Sequence, residues 1–121
     1  MGVGLIHLRV AVANPTRPGR RARLKFLIDS GAACSIVPQR VLKRLGIEPR
    51  TSRGFILADG TEIRRRMGNA LFFYKGEEGA SPVIFGEEGD STLLGVVTLE
   101  ALGLILDPFR RELRPLPLVL G

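Results

Sequence analysis

The apolar run Phe26-Leu27-Ile28 passes directly into Asp29-Ser30-Gly31-Ala32-Ala33. A carboxylate set in apolar sequence is costly unless it is hydrogen-bonded or partly neutralised. A buried strand that delivers Asp29 onto a glycine-containing turn meets that condition and makes Asp29 a candidate site residue. The same residues also suit a plain Asx or Ser turn at a strand end. Neighbouring sequence has to separate the two readings.

On the N-terminal side, Val3 to Ala13 alternates, with Gly4, Ile6, Leu8, Val10 and Val12 forming a continuous apolar face. Asn14 to Gly19 carries two prolines and a glycine and reads as a turn. Arg21 to Ile28 is the return strand, so the first hairpin ends at Asp29. On the C-terminal side, Ser35-Ile36-Val37 is extended and Pro38 opens a short helix, Gln39 to Leu45, stopped by Gly46. Ile47 to Arg53 reads as connecting chain.

Ala58-Asp59-Gly60 between extended arms is a strong hairpin signal. Its outgoing arm, Thr61 to Met67, holds Arg64, Arg65 and Arg66, which suggests a solvated arm ending at Gly68. Asn69 to Tyr74 and Ser81 to Phe85 form a further strand pair across a polar turn, Lys75 to Ala80. Thr92-Leu93-Leu94-Gly95 precedes a second short helix, Val96 to Leu102, closed by Gly103. Leu104 to Asp107 is a strand, and Arg111 to Leu118 a last extended segment. With 15 Gly and 8 Pro in 121 residues, the elements are short and the turns many. One all-β domain, residues 1–121, with one or two short helices is the expectation.

Composition removes several function classes. Cys34 is the one cysteine and His7 the one histidine, so a disulfide framework, a zinc site and a Cys-His catalytic pair are not expected. No metal or cofactor is expected. Aromatic residues make up 6% of the chain and Trp is absent, which leaves little for base stacking. The net charge of +6 is spread over Arg17 to Arg23, Arg64 to Arg66 and Arg110 to Arg114, as on a solvated surface. No basic and apolar leader opens the chain, and the longest apolar region, Leu93 to Leu106, is too short for a membrane span and contains Glu100. A soluble cytoplasmic protein with no nucleic-acid or membrane partner is the default expectation.

Three placed features together carry a resemblance. Asp29-Ser30-Gly31-Ala32, after its apolar strand, is similar to the active-site turn of the retropepsin-like aspartic proteases, the single-domain relatives of pepsin. Leu93-Leu94-Gly95, about 60 residues later and followed by a helix, resembles their second glycine element. Leu57-Ala58-Asp59-Gly60-Thr61 lies between the two, where the flap hairpin belongs. The likeness extends over roughly Leu5 to Arg114, with Ser30 in place of the commoner threonine.

The resemblance implies a closed, barrel-like acid-protease fold and a catalytic Asp29. Ser30 and Gly31 would complete the catalytic turn, while Ala32 and the flap residues Leu57, Ala58, Asp59, Gly60 and Thr61 would contact substrate. Such catalysis needs two carboxylates sharing one proton, and only one such motif is present. A homodimer acting on a peptide or unfolded protein is therefore implied. The alternative is a dimer of the same fold that binds a peptide or protein without cutting it.

Overall fold

The computed structural model describes residues 6–107 and 109–117, so the start of the expected first strand (3–5) and the end of the last (118) lie outside it. Among the described residues, nine strands and two helices follow in chain order. They are β1 (His7–Asn14), β2 (Arg17–Ile28), β3 (Ser35–Pro38), α1 (Gln39–Arg44), β4 (Thr51–Ile56) and β5 (Glu62–Tyr74), then β6 (Glu77–Gly86), β7 (Leu93–Leu94), α2 (Val96–Ala101), β8 (Leu104–Asp107) and β9 (Glu112–Pro115).

The first seven strands form one sheet, ordered β1-β2-β7-β3-β6-β5-β4, and an added β1–β5 pairing closes six of them into a ring. Closure is as expected, yet thin. β7 contributes two residues, and β1 meets β5 over Ala11 to Ala13 only. The result is a ring of sheet more than a true barrel. β8 and β9 make a separate antiparallel pair.

Alternation explains which residues fill the ring. Val10 and Val12 of β1, Phe26 and Ile28 of β2, Phe72 of β5 and Phe85 of β6 are buried. Phe26 and Phe72 meet edge to face with centroids 6.1 Å apart. Burying each contributes about 1.5–3 kcal/mol relative to exposure. Leu42 of α1 and Leu99 of α2 cover the same core.

Several boundaries differ from expectation. The first turn is tighter than Asn14 to Gly19: Asn14 Oδ1 accepts hydrogen bonds from the Thr16 amide (2.9 Å) and hydroxyl (2.8 Å), and β2 resumes at Arg17. Pro18 and Gly19 fit within β2 because the β1–β2 register shifts between Ala13 and Asn14, leaving residues 18–20 outside the ladder. Thr51 to Arg53 is not connecting chain; it pairs with Arg65 to Met67 as the start of an exposed edge strand. Its Thr-Ser-Arg-Gly sequence has no apolar alternation, so only pairing reveals it.

Gly68 does not end a strand, because β5 runs through it. A Cβ there would lie 3.0 Å from both the Glu48 carbonyl and the Phe85 ring, so glycine serves close packing at this position. The β5–β6 turn shrinks to Lys75-Gly76, at φ 46° and 82°, which is the two-residue hairpin geometry with both central residues left-handed.

Candidate active site

β2 stops at Ile28, which pairs in parallel with Leu94 of β7. The Asp29 amide donates to the Leu94 carbonyl at 3.1 Å, so the residue is anchored where the strand ends. The chain then turns back on itself. The Ala32 amide donates to the Asp29 carbonyl at 3.2 Å, and the Gly31 amide donates to Asp29 Oδ1 at 2.8 Å. Asp29 is half-buried, with one carboxylate oxygen held by the backbone and the side chain aimed by that bond. A Cβ on Gly31 would sit 3.2 Å from the same oxygen, so glycine allows this close approach. Ser30 is exposed and Ala32 half-buried.

The far side of the turn is clamped by the second glycine element. The Val96 and Val97 amides, opening α2, donate to the Ala32 and Ala33 carbonyls at 2.9 and 3.1 Å. Gly95 passes so close that a Cβ would lie 2.6 Å from the Ala33 carbonyl oxygen and 2.7 Å from the Cys34 carbonyl carbon. The two glycine-bearing segments therefore cross in contact.

A buried chain of hydroxyls holds that crossing from behind. The Gly95 amide donates to Ser35 Oγ at 2.9 Å, Ser35 is bonded to Thr98, and Thr98 to Ser81 at 2.9 Å. Ser81 Oγ donates to the Pro82 carbonyl at 3.0 Å. Each hydroxyl has one proton, so the last bond sets the direction of all: Ser35 donates to Thr98 and Thr98 to Ser81. All three residues are buried. Sequence reasoning passed over them. The available signal was polar residues standing at inward positions, Ser35 before Ile36-Val37 and Thr98 within Val96 to Leu99.

Leu57 to Thr61 lies on a different element, the tip of the β4–β5 hairpin. The Gly60 amide donates to the Leu57 carbonyl at 2.9 Å, the Leu57 amide to the Thr61 carbonyl at 2.8 Å, and the Thr61 amide to Asp59 Oδ1 at 2.9 Å. Gly60 takes φ 86°, as a three-residue hairpin loop requires. Hydrogen bonding from Thr61, its hydroxyl first and its amide second, holds the Asp59 carboxyl below its ordinary value. Among the described residues no hydrogen bond joins this tip to the Asp29 turn.

The arginine arm is not uniformly solvated. Arg64 and Arg66 are exposed, but Arg65 points to the other side and grips Asp90, Nε to Oδ2 at 2.7 Å and a terminal nitrogen to Oδ1 at 3.0 Å. That bidentate pair ties the base of the hairpin to the loop after β6. It also pulls the Asp90 carboxyl below its ordinary value. The hydrogen bond to Asp90 raises Arg65 in turn.

A family model described as aspartyl protease matches residues 13–97, a span that includes the Asp29 turn, the β4–β5 hairpin and Gly95. The chain belongs to the aspartyl protease family. Among solved structures it is similar to a retropepsin-like aspartic protease from Rickettsia conorii, at 21% identity and a TM-score of 0.46, covering 88% of this chain and 95% of that one. No curated protein matches it.

For an aspartyl protease the carboxylate count matters. Asp59 is engaged by Thr61, Asp90 by Arg65, and Asp107 by the Phe109 and Arg110 amides and by Arg114. Among the described residues, Asp29 is the only carboxylate hydrogen-bonded within this turn. No group of three or more His, Cys, Asp or Glu side chains is placed to hold a metal among those residues.

Proposed function

We propose that the protein is an aspartic endopeptidase whose active site forms when two copies meet about a two-fold axis, each supplying one Asp29. The single observation that carries this reading is one braced Asp-Ser-Gly turn, with one aspartate, in a chain of this family. Two carboxylates about 3 Å apart cannot both ionise, so they hold one proton between them. The ionised carboxylate takes a proton from a bound water as its oxygen attacks the scissile carbonyl carbon. The protonated one gives its proton to the carbonyl oxygen. The tetrahedral diol then collapses: the C–N bond breaks, the leaving nitrogen takes the proton held by one carboxyl, a diol hydroxyl gives its proton to the other carboxylate as the new carboxyl group forms, and the shared-proton state returns. The pair titrates as a unit, so neither role belongs to one copy.

Gly31 aims the carboxylate through its amide, and Ser30 is exposed beside it, where a hydroxyl can bond to the partner turn. The flap tip supplies the cover: Ile56 is 75% and Leu57 44% exposed, apolar surface suited to an extended peptide.

Asp29→Asn should abolish cleavage of an unfolded protein while leaving folding and dimerisation intact. Titrating this variant into the wild type should depress activity further than dilution does, because mixed dimers hold one carboxylate. Cleavage that survives the substitution, or full activity in a strictly monomeric protein, overturns the proposal.

A further inference from the structure

The net charge of the protein resides in one hairpin. Of 18 basic residues, six lie between His7 and Ile28, where there is no acid; the other twelve are matched by all twelve Asp and Glu. The six are Arg9, Arg17, Arg20, Arg21, Arg23 and Lys25, all exposed, and none is in an ion pair among the described residues. The charge that looks dispersed along the sequence is therefore concentrated on the β1–β2 hairpin, where Arg9, Arg21, Arg23 and Lys25 share one face of the ladder, with a balanced remainder.

That face has shape as well as sign. A groove of about 640 Å³ lies over it, lined by Arg9, Ala11, Arg21 and Arg23 from the hairpin and by Phe73 and Lys75 at the β5–β6 turn. Ala11 pairs with Arg23 on one side and Phe73 on the other, so a small side chain sits between long ones. Glu77 and Glu78 line the β6 side, which biases an anion toward β2.

We propose that this groove is an exosite for an acidic, extended segment of the polypeptide substrate. The inference rests on the peptidase reading for its purpose. Arg21, Arg23 and Lys25 stand two positions apart in the outward row of β2, about 7 Å per step, which matches alternate side chains of an extended chain. The row continues through Leu27, and Asp29 is its next position. Arg23 is six residues from Asp29, about 20 Å of strand, so one extended peptide can reach both. Over Ala11 to Ala13, in the floor of the groove, β1 is hydrogen-bonded on both edges, to β2 and to β5, so recognition there falls to the guanidinium groups, which suit carboxylates.

Other polyanions fit less well. Arg21 lies 3.6 Å over the centre of the Phe73 ring, covering the face a base would stack on. Among the described residues, the exposed large apolar ones, Ile56, Leu57, Val97, Ile105 and Phe109, are all outside the hairpin, so its described part offers no apolar wedge for a lipid surface.

The test uses Asp29→Asn protein and a labelled ten-residue oligoglutamate peptide, so binding is read without cleavage. Expected is binding at low salt that weakens at least 10-fold near physiological ionic strength. Arg21→Gln/Arg23→Gln/Lys25→Gln should weaken it at least 10-fold at low salt, and Arg40→Gln/Lys43→Gln/Arg44→Gln on α1 should leave it within about 2-fold. Equal loss in both triple variants assigns the effect to diffuse charge and overturns the proposal. So does tighter binding of a single-stranded oligonucleotide or of anionic phosphatidylglycerol vesicles. In the active protein, a glutamate tract six to eight residues from the scissile bond should lower KM with little change in kcat, and the β2 triple variant should remove that gain. Peptide binding without any cleavage by the wild type sinks the peptidase reading alone; cleavage indifferent to the tract sinks the exosite alone.

Discussion

Ser35→Ala tests whether the hydroxyl chain holds the two glycine segments together. The substitution deletes one buried oxygen. It leaves the buried Gly95 amide without its acceptor. Thr98 loses a donor but keeps Ser81. An orphaned buried amide costs about 1–3 kcal/mol, and a small void adds to it. The expected loss is about 2–3 kcal/mol, or about 8–12 °C in Tm for a chain of this size. Urea unfolding of the Asp29→Asn background, at one fixed protein concentration, measures it without self-digestion or mass-action drift. Thr98→Val acts on the same chain, so the double variant should lose at least about 0.5 kcal/mol less than the two single losses combined. A Ser35→Ala loss below about 0.5 kcal/mol, or strict additivity with Thr98→Val, refutes the idea that this network braces the site.

Gly95→Ala places a methyl 2.6 Å from the Ala33 carbonyl oxygen, so the Asp29 turn must shift; overpacking costs about 1–3 kcal/mol, and cleavage should fall even at temperatures where circular dichroism shows a folded protein. Wild-type rates in folded Gly95→Ala would contradict the clamp. Asp90→Asn removes a carboxylate held low by Arg65, whose stabilisation is complete above the ordinary carboxylate value and fades as pH falls through its lower folded value. The side chains are 15% and 19% exposed, so the pair is partly screened and the loss at pH 7 should be about 1–2 kcal/mol. Urea midpoints of the two proteins should converge toward pH 2; a gap unchanged from pH 7 would falsify the assignment.

Local pattern carried the hairpins and the turn. Val10, Val12, Phe26 and Ile28 are buried because alternation with a period of two puts them on one side of β1 and β2, which can be read from any eight residues. Gly46, Gly60 and Gly103 have positive φ where the pattern called for stops and turns. Asp29, Gly31 and Gly95 stand out because an acid or a glycine in apolar sequence is a local anomaly. Long-range features had no such signature. Gly68 looked like a strand end because its reason, contact with Glu48 and Phe85, is supplied by other segments. Arg65 looked solvated because Asp90 is 25 positions away.

Residue types within a few positions already dictate that this chain turns an apolar strand into an Asp-Ser-Gly corner and later sends a Leu-Leu-Gly segment into a helix. That these segments cross in contact, that Ser35, Thr98 and Ser81 hold the crossing, and that Phe73 closes a groove beside the basic hairpin emerges only on folding. The physical reason is common to all three. Each depends on pairing between residues far apart in the chain, which ring closure brings together and no local preference encodes.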